Sequence, residues 1–251
     1  MKEKDTDLSR RRFLSGPVKV IPVVALASTG LANTTTISAQ PIAPGAQLQS
    51  SAQKYLPTFF TNQKDWDFIH AIVEHLIPED ENGPGAVTAG VPEYIDRQMN
   101  TPYAYGRLWY MQGPFHPEMM TTNPDMGYQV NLTPRQVYEL GIPEVNAWCQ
   151  KTHSKTFTEL DHETQLQVVK DLSDKKIEFS PETVTAAVFF AQLLTDTKEG
   201  FFSDPMYGGN KNMAAWKMVG FPGARGDFMD WIDHPNEPYP FGPVSITGEK
   251  A

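Results

Sequence analysis

Apolar residues recur every three or four positions through Trp66, Ile69, His70, Val73, Leu76 and Ile77, the spacing that aligns one face of an α-helix. The pattern predicts an amphipathic helix over Gln63–Ile77, N-capped at Thr61 or Asn62 and ended by Pro78. Turn residues fill the loop Glu79–Gly90, EDENGPGAVTAG, and Pro92 is placed to open a second helix toward Met99. Tyr103–Met126 is crowded with aromatic residues, methionines and prolines, and its only regular feature is a short helix at Ala104–Met111.

Periodicity returns at Thr133. There Thr133 and Gln136 have capping-box spacing and Pro134 takes the first helical position, so a helix starts, is broken or kinked at Gly141–Pro143, and runs on to Lys151. Asp161 caps a helix over His162–Lys175 with Leu166 and Val169 inward. Ser180 and Pro181 open the most apolar helix, whose run Val184–Leu194 is expected at the centre of the core. Asn210–Val219 is the last helix, closed by Gly220 in a left-handed C-cap. Strand-like alternation is almost absent, so the fold class is mainly α, a single helical domain with long loops over residues 61–232. From Asp233 onward, Pro235, Pro238, Pro240 and Pro243 oppose helix and central strand, which leaves an extended Pro-rich C-terminal arm over 233–251.

The first 60 residues follow another logic. Arg10 and Arg11 stand ahead of Phe13 and Leu14 in the stretch SRRRFL, and the uncharged run Val20–Ala32 follows with small residues behind it. This order makes residues 1–39 a twin-arginine signal peptide, cleaved after Ala27, Ala32 or Ala39. Val20–Ala32 is shorter than the ~20 apolar residues a spanning helix needs, so it reads as a signal and not an anchor. Residues 40–60, rich in Gln, Ser, Ala and Pro, read as a flexible leader. Export by this route implies folding before translocation, and a periplasmic destination.

Composition narrows the partners. The chain carries a formal charge of −9, and removing residues 1–39 leaves 15 basic against 27 acidic residues, −12 in all. Such a surface is repelled by phosphate backbones and anionic lipid, so nucleic acid is excluded and membrane association is expected through partners only. Cys149 is the single cysteine, which rules out a disulfide within the chain; its neighbours Val145 and Trp148 predict a buried, inert thiol.

Candidate chemistry is sparse. There is no GxGxxG, no CxxCH, no cysteine cluster and no GxSxG elbow, and HETQL at His162 lacks the second histidine of a zinc helix. Asp80, Asn82 and Gly83 have calcium-loop register, but Pro78 and Ala89 stand where the first and last ligands belong. Glu74, Asp80, Glu93 and Asp96 read as solvated helix-face carboxylates and not an acid–base pair. Met111, His116, Met119, Met120 and Met126 offer thioethers and an imidazole suited to monovalent copper, but soft core or interface packing explains the same methionines without a metal and is the favoured reading. On these grounds no catalytic, cofactor or metal residue is assigned.

The strongest signature is Gly200–Phe228, GFFSDPMYGGNKNMAAWKMVGFPGARGDF. Glycine pairs and prolines fix sharp turns while Phe201, Phe202, Tyr207, Trp216 and Phe221 supply large apolar rings. Buried, these rings would wrap the base of the domain. Exposed, they would be rigid anchors of a partner interface, with Gly208, Gly209 and Asn210 shaping the loop.

This segment, together with LIPEDENGPGAVTAGVPEYIDRQM at Leu76–Met99 and the twin-arginine leader, resembles the small subunit (subunit 3, or gamma) of membrane-bound, flavin-dependent gluconate 2-dehydrogenase. The resemblance covers roughly Trp66–Phe228. It implies a heterotrimer at the periplasmic face of the inner membrane, in which an FAD-containing large subunit oxidises a sugar or sugar acid and a multihaem cytochrome c subunit passes electrons to ubiquinone. It implies no cofactor in this chain, and a large subunit carried out by the twin-arginine translocase as a passenger on the small subunit's signal. A free-standing periplasmic copper-binding protein or enzyme is the competing expectation, resting on the Met and His segment.

Overall fold

The computed structural model describes residues 55–251 except Pro238; Arg10, Arg11, Phe13 and Leu14, the cleavage positions and the leader up to residue 54 lie outside the described residues. Helix α1 (Gln63–Leu76) starts where the Asn62 side chain accepts the Lys64 N–H at 3.1 Å, and it buries Phe68, Ile69, Ile72, Val73 and Leu76. Helix α2 (Val91–Gln98) follows Gly90, whose φ of 82° is costly for a side-chain-bearing residue, and Pro92 lies in its first turn. A single turn, α3 (Met119–Thr122), interrupts the long loop that follows.

Helix α4 (Pro134–His153) carries the expected capping box at Thr133 and Gln136 but is not broken at Pro143; twenty residues run through it. Proline removes one N–H and crowds the carbonyl four residues earlier, a local loss that packing of a long helix overrides. Helix α5 (His162–Ser173) is capped by Asp161 and buries Val168, Val169 and Leu172. Helix α6 (Ala186–Phe202) begins later than the Ser180–Pro181 signal. The reason is Glu144 of α4, which accepts from the Ser180 N–H and hydroxyl at 2.9 and 3.1 Å and from the Thr183 hydroxyl at 3.2 Å, holding this stretch in a turn. Thr185 then caps α6 by accepting the Val188 N–H at 3.2 Å. The short helix α7 (Ala214–Val219) ends at Gly220, left-handed as expected.

Among the described residues the protein is mainly helical, with isolated β-bridges and no strand. Helix α6 is the hub, packed against each of the other helices. Its Phe189 forms an aromatic core with Phe68, Phe157, Tyr138 and Phe60; the Phe68–Phe157 and Phe60–Tyr138 ring centroids are 5.1 and 5.8 Å apart. Gly141 of α4 is the point of closest approach, because a Cβ there would run into the Phe189 ring.

Three expectations are corrected. Ala104–Met111 forms turns and no helix; its root is held by the Tyr103 hydroxyl on Asp196 and by the Arg135 N–H on the Ala104 carbonyl. Residues 55–60, read as the end of the flexible leader, are fastened: Asp96 accepts from Tyr55 OH, Thr58 N–H and hydroxyl, and the N–H groups of Phe59 and Phe60 at 2.6–3.0 Å. The C-terminal residues fold back instead of forming a free extended arm. Val244 bridges Gly223 and Lys250, Ser245 is buried, and the Ile246 N–H donates to Asp204 at 2.7 Å.

Candidate functional site: the aromatic loop after helix α6

Two buried polar side chains shape the loop between α6 and α7. Asn210, fully buried, donates its amide N–H to the Ser203 carbonyl at 2.9 Å and accepts the Ala215 N–H at 2.9 Å, tying the loop's beginning to its end. Asp204 accepts from the Met206 N–H at 3.0 Å and, with its other oxygen, from Ile246. Pro205–Tyr207 winds one 3₁₀ turn ended by Gly208 at φ 97°, where a Cβ would crowd Arg97 and Glu93. Gly209 has the same constraint from the Gly200 carbonyl.

The outer side is fixed to α2. The Lys211 N–H donates to the Ala89 carbonyl at 3.0 Å, its ammonium meets Glu93 at 2.7 Å, and Arg97 pairs with the same Glu93. Asn212 and Met213 are both left-handed, a conformation that non-glycine residues hold only when their surroundings impose it. Every turn of this loop is therefore set by hydrogen bonds or close packing.

The structure divides the expected interface residues. Phe201, Gly208, Gly209, Asn210 and Trp216 are buried in the chain's own domain, so their part in the loop is support. Trp216 donates its indole N–H to the Phe202 carbonyl at 2.8 Å and packs edge-on to Phe221 at 5.2 Å. Phe202, Tyr207 and Phe221 stand 37%, 45% and 47% exposed. Met206, on the 3₁₀ turn, and Met218 and Val219, at the end of α7, are exposed apolar residues of the same segment that the sequence did not single out.

Glu93 and Asp96, read from the sequence as solvated helix-face acids, are buried. Burial acts to raise the Asp96 carboxyl, but the Thr58 N–H, the Tyr55 hydroxyl and the Phe60 and Phe59 N–H groups outweigh it and leave it below the usual carboxylate range. Asp196 of α6 goes the other way. Fully buried, it accepts from Tyr103 OH at 2.7 Å, Tyr138 OH at 2.8 Å and the Gln192 amide, yet burial pushes its carboxyl up to about 6. No motif announces this cluster, because its four side chains come from a loop (Tyr103), α4 (Tyr138) and α6 (Gln192 and Asp196).

Met111, His116 and Met126 have different neighbours. The Met111 sulfur accepts the Trp109 indole N–H at 3.0 Å, His116 pairs with Glu118 at 3.1 Å, and Met126 lines an open groove of about 350 Å³ with Trp109, Tyr110 and Tyr128. Asp80 accepts from Asn82 in its own turn. Among the described residues no three His, Cys, Asp or Glu side chains are grouped to hold a metal ion. Cys149 is buried, and its thiol is pushed up to about 11.

The described residues thus form a mainly helical domain that presents the rings of Phe202, Tyr207 and Phe221 from a loop held by hydrogen bonds and close packing. The family model for gluconate 2-dehydrogenase subunit 3 matches residues 63–223, and the chain belongs to that family. No curated protein and no solved structure matches it. No helix among the described residues is long and apolar enough to cross a membrane.

Proposed function

We propose that this protein is the non-catalytic small (gamma) subunit of a periplasmic, membrane-associated, flavin-dependent gluconate 2-dehydrogenase-type complex, which escorts the flavoprotein through twin-arginine export and stabilises the assembled complex. The flavoprotein docks on Phe202, Tyr207 and Phe221, with Met206, Met218 and Val219 extending the apolar contact. FAD and haem c reside in the large subunit and in the multihaem cytochrome c subunit, and this chain carries neither. It sits at the outer face of the inner membrane through its partners.

The observation that carries the reading is the Tyr207 ring, exposed on a backbone held from both sides by Asn210, Gly208 and the Lys211–Glu93 pair. A ring presented this way loses little conformational entropy on docking, the property that makes aromatic anchors effective. The test is purification of the tagged chain from membranes. A flavoprotein and a haem c protein should come with it from wild type and be depleted from Tyr207→Ala, and their absence from the wild-type preparation sinks the reading. Export is tested separately: with Arg10 and Arg11 both changed to Lys, the small subunit and the flavoprotein should stay in the cytoplasm together.

A further inference from the structure

Trp109 and Tyr103 lie in edge-on ring contact, 5.6 Å between centroids, and Tyr103 donates its phenol to Asp196 at 2.7 Å. We propose that Tyr103 is a one-electron oxidation site: an oxidising equivalent entering at Trp109 comes to rest there as a neutral tyrosyl radical, with the phenol proton held by Asp196.

An outer-sphere one-electron oxidant takes an electron from Trp109, leaving an indole cation radical. Tyr103 returns an electron to Trp109, its O–H bond breaks, and the proton crosses the existing hydrogen bond to Oδ1 of Asp196. The products are a tyrosyl radical, a protonated Asp196 and the reduced oxidant; a later reductant returns the electron and Asp196 returns the proton.

The choice of tyrosine rests on the proton acceptor. Oxidising a phenol makes it a very strong acid, so the radical persists only where a base can take and keep the proton. Tyr128 is nearer to Trp109, at 4.8 Å, but its hydroxyl donates to the Leu132 backbone carbonyl at 2.6 Å, which cannot take one. Tyr110 donates to the Gln112 amide oxygen, likewise no base. Tyr138 shares the Asp196 carboxylate at 2.8 Å, yet its ring contacts are with Phe60 and Phe189 and not with the indole.

Asp196 suits the role because no lysine, arginine or histidine is paired with it among the described residues; its partners are two phenols and the Gln192 amide. Glu199, one turn further along α6, is itself pushed up to about 7 by burial and by the negative charge of Asp196. Burial lifts the Asp196 carboxyl toward neutrality while leaving it ionised at pH 8. Trp109 is half-buried on the open groove, within reach of an oxidant in solvent, and its indole N–H is on the Met111 sulfur, so it keeps its proton when it loses an electron.

The test is photo-oxidation of the full chain at pH 8 with ruthenium(II) tris(bipyridine), persulfate as the terminal acceptor, read by electron paramagnetic resonance. A long-lived neutral tyrosyl radical is expected in wild type, Tyr128→Phe and Tyr110→Phe. It should be lost in Tyr103→Phe, which keeps the ring and removes only the hydroxyl, and shortened in lifetime in Asp196→Asn. Its formation should slow in deuterium oxide, a readout that needs no variant to fold. Survival of the signal in Tyr103→Phe, its loss only in Tyr138→Phe, or an absent solvent isotope effect overturns the assignment.

Discussion

Trp216 donates its indole N–H to the Phe202 carbonyl 2.8 Å away, and this one bond places the tryptophan of the aromatic loop on the opposite side of an energetic divide from Tyr207. Trp216 is buried beneath the loop while Tyr207 is nearly half exposed above it. Truncating a buried Trp removes core volume and leaves the Phe202 carbonyl without its donor. We expect Trp216→Ala to lose about 3–5 kcal/mol of folding stability. Tyr207→Ala should leave the melting temperature of the isolated subunit within error and weaken association with the flavoprotein by about 2 kcal/mol or more. Thermal melts and co-purification on the same two variants separate these outcomes; a melting collapse in Tyr207→Ala contradicts the docking assignment.

Asp96 organises the segment before α1, and five hydrogen bonds reach its two oxygens. Asp96→Ala orphans the N–H groups of Thr58, Phe59 and Phe60 and should cost about 3–5 kcal/mol, as removal of one partner from a buried charged network does. Hydrogen exchange is the sharper readout: protection at Phe60 should vanish in the variant while that of α6 is retained.

The two buried aspartates respond to pH in opposite senses. Asp96 is lowered on folding, so its contribution is complete above the unfolded carboxylate value and is lost as pH falls through the still lower folded one. Asp196 is raised to about 6, so its contribution is present below the unfolded value near 4 and is lost as pH rises through about 6. The second effect amounts to about 2–3 kcal/mol between pH 4 and pH 7. Asp196→Asn should flatten that part of the stability profile in denaturant titrations. An unchanged profile means that another group titrates there.

Gly141 offers a contest between two rules. Replacing a mid-helix glycine with alanine gains about 1 kcal/mol of helix propensity. Here the added methyl meets the Phe189 ring, itself packed against Phe68, Tyr138 and Phe179, and overpacking costs about 1–3 kcal/mol. We expect Gly141→Ala to be net destabilising, with a lowered melting temperature as the check.

Local rules determined where helices start and stop when the signal lay within one turn. The Asn62 cap, the Thr133–Gln136 box, the Asp161 cap and the Gly220 terminator are contacts between residues at most a few positions apart, so the sequence carries them whole. The family resemblance was legible for a similar reason, in two uninterrupted blocks, and the match over residues 63–223 bears it out.

What only tertiary structure decided involves partners far apart along the chain. Glu144 delays the start of α6 from 36 residues away, and Asp96 fastens Thr58 from 38. The long Pro143-containing helix survives because α6 packs along it, outweighing one lost hydrogen bond. The division of the aromatic loop into supporting and presented rings has the same origin. A sequence of closely spaced Phe, Tyr and Trp residues specifies apolar area, but which ring faces inward depends on where Asn210 and Asp204 find their partners, and burial is a property of the folded neighbourhood and not of the residue.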